Sequence, residues 1–357
     1  MDTTETRADM NIDEIWMQRC LDLAVNGLGN VAPNPMVGCV IVHDNEVIGE
    51  AFHNSFGLAH AEVNAIEAVK DKSLLTKSTL YVNLEPCSHH GKTPPCSDLI
   101  IRHGLKKVVI GALDSNELIN GSGASRIKDA GIEVVVNVLK SRCRALNKRF
   151  YTFHEQKRPY YILKWAESSD GYIYSNDHDH AISNNLSNQM VHQMRSDEQA
   201  ILIGKNTLIA DNPRLNVRLV EGNDPLRIVV LGSVVSDIGE QNVFKDGIPT
   251  LIFNTDKTSI EEQVEFVQYE KGEFISKLNS VLYEKGIASV LVEGGTATIN
   301  SFIQSENWDE AHQIIAQHVF SSGITAPKLS LKNSLKQNIG NYDNQDVWTT
   351  YINNKFK

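Results

Sequence analysis

His60-Ala61-Glu62, then Pro86-Cys87-Ser88-His89-His90-Gly91-Lys92-Thr93-Pro94-Pro95-Cys96, is the part of the chain whose reading decides the rest. One imidazole and two thiols offer zinc three soft or borderline ligands and leave its fourth tetrahedral position to water. Such an open site is catalytic in design, because bound zinc brings the pKa of water down towards about 7. Glu62 stands two residues from His60, close enough to reach that water without ligating the ion, where a proton shuttle has to be. Helix starts at Ala61 and after Cys96 would aim their positive ends at the site and favour thiolate over thiol. A lone histidine is ordinarily a satisfied core or surface group, and a lone cysteine a small buried hydrophobe. The joint pattern favours a ligand set of His60, Cys87 and Cys96. A site closed by His89 or His90 would instead be structural. Cys20, Cys39 and Cys143 fall outside the motif and read as packing thiols.

Outward from this motif, strand-like and helix-like segments alternate. Ile12 to Val25 has helical spacing, and Val37 to Val42 and Val47 to Phe52 are β-rich runs around an Asp44-Asn45 turn. Ala61 to Val69 is helical, Thr79 to Leu84 a strand, Asp98 to His103 a helix stopped by Gly104, and Lys107 to Leu113 a strand. Ser125 to Ala130 and Glu133 to Val138 add a short helix and a strand, and Leu139 to Pro159 reads as a terminal helix leading into a linker. This alternation predicts an α/β fold, a sheet sandwiched by helices. A second unit opens with the strand Tyr160 to Trp165. It continues through strand candidates at Ala200 to Ile203, Leu226 to Leu231, Thr250 to Phe253, Ala288 to Val292, Gln313 to Val319 and Val347 to Ile352. Asn188 to Arg195 and Glu273 to Glu284 are helix-like.

The chain has 357 residues, too many for one ordinary core. Its 44 acidic against 34 basic residues, a net charge of −10, disfavour a protein living on nucleic acid, since phosphate neutralisation needs a basic footprint. Small anionic substrates need only a local cluster of Arg and Lys. Five cysteines scattered through so long a chain do not form a disulfide framework. No run approaches the roughly 20 apolar residues of a membrane span. Met1 to Asp13 is polar and acidic, so the expected address is the cytoplasm.

The His-x-Glu and Pro-Cys pattern is similar to the zinc deaminase signature, except that eight residues separate the cysteines instead of two. The insert Ser88 to Pro95, with Ala32-Pro33-Asn34-Pro35-Met36-Val37-Gly38 upstream, closely resembles the deaminase half of the bifunctional riboflavin-pathway enzymes, from about Gln18 to Gly111. That resemblance implies a cytidine-deaminase-like three-layer α/β/α domain over residues 10–150. It also implies zinc-dependent hydrolytic deamination of a diaminopyrimidinone carrying a ribosylamino 5′-phosphate. Glu62 would take the water proton, then protonate the ring nitrogen and the departing ammonia. Asn34 would hydrogen-bond the pyrimidine; its plainer reading is a turn residue between two prolines. Where the family often has an Asp-Pro-x-Pro-like segment before Gly-x-Gly, this chain has Asp114 to Gly123 with the glycines and without the prolines, which predicts a changed loop.

In the second half no Gly-x-Gly-x-x-Gly follows a strand, so the Rossmann fingerprint is absent. Ser289-Val290-Leu291-Val292-Glu293-Gly294-Gly295-Thr296 runs a strand into two glycines and a helix; taken alone, such a pair is usually a tight turn. Together with Lys164-x-Ala166-x-x-Ser169-Asp170-Gly171 and Ala200 to Arg218, it resembles the reductase half of the same family. This implies a dihydrofolate-reductase-like α/β domain over residues 158–357 that uses NADPH to reduce the ribosyl chain to ribityl. Ala166, Thr207, Asp211 and Gly295 would border NADPH, while Arg195, Leu215, Arg218 and Glu293 would hold the substrate. Arginine suits a phosphate dianion, although most arginines are solvated surface charge. Asp211 and Glu293 are the candidate proton donors. The family's usual Trp before Ile-Ser is Ala181 here, after His178-Asp179-His180, and Leu231-Gly232 replaces a common Asp-Ser. The resemblance further implies a homo-oligomer. The rival readings are an active deaminase with a degenerate second domain, a nucleic-acid-editing deaminase, and a zinc-stabilised binding module.

Overall fold

The computed structural model describes residues 10–89, 94–115, 121–176, 182–233, 238–329, 334–341 (backbone) and 346–353, and the chain divides into two compact units, Met1–Gln156 and Lys157–Lys357.

In the first unit, α1 (Ile12–Ala24) starts at Asn11, whose side chain accepts the Glu14 N–H while the Glu14 carboxylate accepts the Asn11 N–H, a reciprocal cap. β1 (Gly38–His43) and β2 (Glu46–Phe52) form a hairpin through Asp44 and Asn45, both at positive φ, as a tight two-residue turn requires. β3 (Thr79–Leu84) lies antiparallel to β1, and β4 (Lys107–Ala112) and β5 (Glu133–Val136) extend the sheet in parallel, in the order β2-β1-β3-β4-β5. Strand alternation sends Cys39, Ile41, Leu80, Val82, Val108 and Ile110 to one face. They pack there with residues of α2 (Ala61–Ala68), α3 (Cys96–His103) and α4 (Ser122–Asp129). Val40, Val42, Tyr81 and Val109 face α1, α5 (Lys140–Leu146) and α6 (Lys148–Gln156). The result is three layers, helices on both sides of one sheet. Cys20, Cys39 and Cys143 are buried free thiols in these cores.

The single terminal helix expected over Leu139 to Pro159 is two helices. Asn147 breaks it by turning its amide inward, where it accepts the Met36 N–H (2.8 Å) and donates to the Met36 carbonyl (2.9 Å). The expected linker is not a loose one at its end, since Arg158 is buried.

In the second unit the strands are β6 (Tyr160–Glu167), β7 (Tyr172–Tyr174), β8 (Ala200–Gly204), β9 (Leu226–Gly232), β10 (Thr250–Asn254), β11 (Ser259–Glu261), β12 (Val264–Gln268), β13 (Ser289–Val292), β14 (Glu310–Ile315), β15 (Ile324–Thr325), β16 (Ser334–Asn341) and β17 (Val347–Asn353). Ten of them form one sheet, β11-β12-β10-β9-β8-β13-β6-β14-β17-β16, parallel from β12 to β14 and antiparallel at both ends; β7 and β15 pair separately. Its helices are α7 (Asn185–Asp197), α8 (Lys205–Asp211), α9 (Phe274–Glu284) and α10 (Thr296–Gln304). The central strands Ala200–Gly204 and Ser289–Val292 are buried throughout, as parallel strands covered on both faces must be. The strand expected over Gln313 to Val319 runs instead from Glu310 to Ile315. Its charged start was hidden by composition: Asp309 is buried in a two-pronged pair with Arg158 (both 2.7 Å), and Glu310 accepts the Tyr160 hydroxyl.

Candidate functional site

His60 is the residue at which α2 starts, Cys96 is the first residue of α3, and Cys87 follows β3 by three positions, so two helix starts and a strand end meet at one point. Cys96 Sγ lies 3.3 Å and Cys87 Sγ 3.7 Å from His60 Nδ1, and the three donor atoms all fall within 4.8 Å of one another. Tetrahedral zinc, with bonds of about 2.3 Å to sulfur and 2.0 Å to nitrogen, sets such donors roughly 3.5–3.8 Å apart, so the set fits the ion. Among the described residues this is the one group of three such donors close enough to share a metal; His89 is exposed and outside it, and His90 lies outside the described residues. Glu62 is buried, and its carboxyl meets the Cys96 thiol. Burial pushes the Glu62 carboxyl up to about 7 against the pull of His60, which suits a group that takes and returns a proton near neutrality. The hydrogen bond from the Cys96 thiol, followed by that to His60, lowers Cys87 to about 4, a ready thiolate.

His53, on one side of this site, escaped the sequence reading. Asn34 donates its amide to His53 Nε2 (3.2 Å), and His53 Nδ1 bonds the Ala59 carbonyl (3.1 Å), one residue from His60. The two imidazoles meet edge to face, ring centroids 5.5 Å apart. Burial lowers the His53 pKa, so the ring is held neutral, with Nε2 as acceptor and Nδ1 as donor. Asn34 thus bonds a ring that packs against His60. Asn116 to Asn120, in the segment expected to change its loop, lie outside the described residues.

The second unit holds a cavity of about 1020 Å³. Ala166, Thr207, Asp211, Glu293 and Gly295 all line it, with Lys164, Ser183, Asn188 and Leu231. It opens where the parallel neighbours β8 and β13 end. Gly294 lets these ends approach, since a Cβ there would come within 2.8 Å of Ile203 Cα; Gly295, at φ +60, starts α10. Thr296, Ala297 and Thr298 at the start of α10 also line the cavity, and a helix start is a setting that favours an anionic ligand. Ala181 and His178 to His180 lie outside the described residues.

Arg195, Leu215 and Arg218 are not among the residues lining the cavity, although Arg195 bonds Glu293, which is. The Arg195 guanidinium forks onto Glu293 (2.7 and 2.9 Å), Lys164 lies 3.5 Å from the same carboxylate, and Arg195 also donates to the Asn216 carbonyl. Burial would raise Glu293, but Arg195 and Lys164 outweigh it and hold the carboxyl down to about 2. Glu293 is therefore a fixed anion near neutral pH and is unsuited to donate a proton. Leu215 packs its side chain into the core beside Leu208 and Val229 at φ +55. Arg218 is exposed, and its backbone N–H donates to His192 Nδ1 (3.1 Å). Burial, then Arg195 and Arg218, pulls His192 down to about 4, so the ring stays a neutral acceptor. His192 was missed, although it precedes Arg195 by three positions on α7, the spacing of one helix face.

Residues 10–112 match the family described as "Cytidine and deoxycytidylate deaminase zinc-binding region", and residues 159–328 match "RibD C-terminal domain". Riboflavin biosynthesis protein RibD of Aquifex aeolicus is 35% identical over 334 residues, 91% of this chain and 93% of that one. Its counterpart in Bacillus amyloliquefaciens is 37% identical over 329 residues, covering 89% and 88%. A Thermotoga maritima crystal structure, described as a diaminohydroxyphosphoribosylaminopyrimidine deaminase/5-amino-6-(5-phosphoribosylamino)uracil reductase, matches with a TM-score of 0.84 at 34% identity, over 96% of this chain and 98% of that one.

Proposed function

The chain belongs to the RibD family of bifunctional riboflavin-biosynthesis deaminase/reductases, and from that premise we propose which of its residues serve each reaction. Its first unit is a zinc-dependent, cytidine-deaminase-like deaminase and its second an NADPH-dependent reductase. The substrate of the first is 2,5-diamino-6-(5-phosphoribosylamino)pyrimidin-4-one, and the second acts on its deaminated product.

His60, Cys87 and Cys96 hold the zinc. Bound there, zinc would supply water of lowered pKa. Glu62 takes one proton from water and delivers it to the ring nitrogen, then takes the proton of the added hydroxyl and delivers it to the amino group, which leaves as ammonia, while Asn34, oriented by His53, bonds the pyrimidine. The observation that carries this half is the convergence of one imidazole and two thiols within 4.8 Å, with the buried Glu62 beside them.

In the second unit Ala166, Thr207, Asp211 and the Gly295 turn border NADPH, which supplies the hydride that opens the sugar. Arg218 reaches for the substrate phosphate, positioned through His192 and the backbone next to Leu215. Arg195 and Lys164 keep Glu293 ionised, so that it accepts hydrogen bonds from sugar hydroxyls, and Asp211 is left as the candidate proton donor.

Buried free thiols and two cysteines needed as metal ligands support a cytoplasmic setting. A charge of −10 supports small-molecule partners and not nucleic acid. No helix among the described residues is long and apolar enough to cross a membrane. Family membership supports a homo-oligomer.

The purified chain, supplied with the diaminopyrimidine substrate, tests both halves by product mass. The expected products are the deaminated compound without NADPH and its ribityl derivative with NADPH. Deaminated product alone in both cases, with no oxidation of NADPH, would leave an active deaminase joined to an inactive reductase.

A further inference from the structure

Glu85 follows β3 directly, two residues before Cys87, and is buried, yet the chemistry assigned above gives it no part. All of its accepting capacity is used on backbone. Oε2 accepts the N–H groups of Asp114 (3.1 Å) and Gly121 (2.9 Å); Oε1 accepts those of Gly123 (2.9 Å) and Ala124 (3.0 Å). Gly121 to Ala124 open α4, where the first amides have no partner inside the helix. An anion is the best occupant of such a place, and two carboxylate oxygens serve four donors as no neutral side chain of that shape does.

The same joint is tied at three more points. Gly123 lies so close to Pro86 that a Cβ would fall 2.1 Å from its carbonyl oxygen. Ser88 Oγ meets Ser122 Oγ at 2.5 Å. Arg126 of α4 reaches the Ser88 carbonyl (3.5 Å) and pairs with Asp98 of α3 (2.6 Å), two residues beyond Cys96. The chain is therefore fastened to α4 on both sides of Cys87, and α4 is fastened to the helix that Cys96 begins.

We propose that Glu85 is a positioning residue of the deaminase: by filling the start of α4 from the end of β3, it sets the backbone that aims Cys87. The inference rests on His60, Cys87 and Cys96 being the zinc ligands. Replacing one oxygen by an amide NH2 in Glu85→Gln turns it against two of the four donors at almost unchanged volume.

The test uses the full-length, zinc-loaded protein. Glu85→Gln should release zinc to a chromophoric chelator at least about tenfold faster than the parent and lower the deaminase kcat by a similar factor with little change in KM. In the cobalt(II)-substituted protein the ligand-field bands should shift, a signature that general loosening far from the thiolates does not produce. The reductase, assayed on the deaminated intermediate, should stay within about twofold of the parent and so report that the second unit is intact. A folded variant with parent-like zinc release and parent-like cobalt bands overturns the proposal. If Glu85→Gln costs the first unit its fold, Ser122→Ala loosens the same joint from its exposed side. There, release about threefold faster supports the proposal and parent-like release overturns it. A parent protein that takes up no zinc would instead refute the ligand assignment on which the proposal stands.

Discussion

Glu62 shows how much one side chain's role depends on its surroundings. In the sequence it is a carboxylate two residues from a ligand; in the structure it is buried, and its pKa is pushed up to about 7. Glu62→Gln keeps the shape and the zinc donors but removes the proton carrier. The variant should retain the zinc content of the parent while its deaminase kcat falls by about 10²–10⁴-fold, with metal analysis and product formation measured on the same preparation. The donors His60, Cys87 and Cys96 were legible because zinc chemistry restricts both residue type and spacing. The Asn34–His53 contact was not, since no local rule links two positions on separate segments; only the fold brings an amide to an imidazole 3.2 Å away.

Between the residue and the whole lie the elements, and here alternation served well for strands buried on one or both faces and poorly where charge was buried. β14 was expected to start at Gln313 because Asp309 and Glu310 look like surface; their partners Arg158 and Tyr160 arrive from elsewhere in the chain. The hairpin strand β11 was missed for the related reason that its edge is largely exposed and polar. Two expectations follow from how elements meet at the reductase cavity. Gly294→Ala forces a Cβ against Ile203 Cα and so pries β13 from β8. It should cost about 1–3 kcal/mol of second-unit stability and weaken NADPH binding, read by fluorescence titration, while deamination continues. The Glu293 carboxylate joins three elements, with Arg195 from α7 and Lys164 from β6. Its folded pKa of about 2 lies below its ordinary 4.5, so its contribution is fully present above about 4.5 and is lost as pH falls through about 2. That contribution is on the order of 3 kcal/mol. Acid titration of stability should show this slope, and Glu293→Gln should flatten it; an unchanged slope would remove Glu293 as its source.

For the whole molecule, the two units keep separate cores and separate chemistry. Stripping the metal with a chelator should abolish deamination and leave NADPH oxidation on the deaminated intermediate intact, and zinc added back should restore the first activity alone. Loss of both activities on chelation would mean that the reductase depends on the metal site. By itself the sequence determined that there are two α/β units, that one carries a three-donor metal motif beside a carboxylate, and that a glycine pair follows a buried strand in the other. These are properties of residue type and short spacing, which periodicity and ligand chemistry express locally. Tertiary structure alone decided that Arg195 and Lys164 meet Glu293, that Leu215 turns into the core, and that Glu85 gathers four amides beside Cys87. Each of these depends on partners far apart along the chain and on burial, and burial sets both the charge a group carries and the neighbours left to satisfy it.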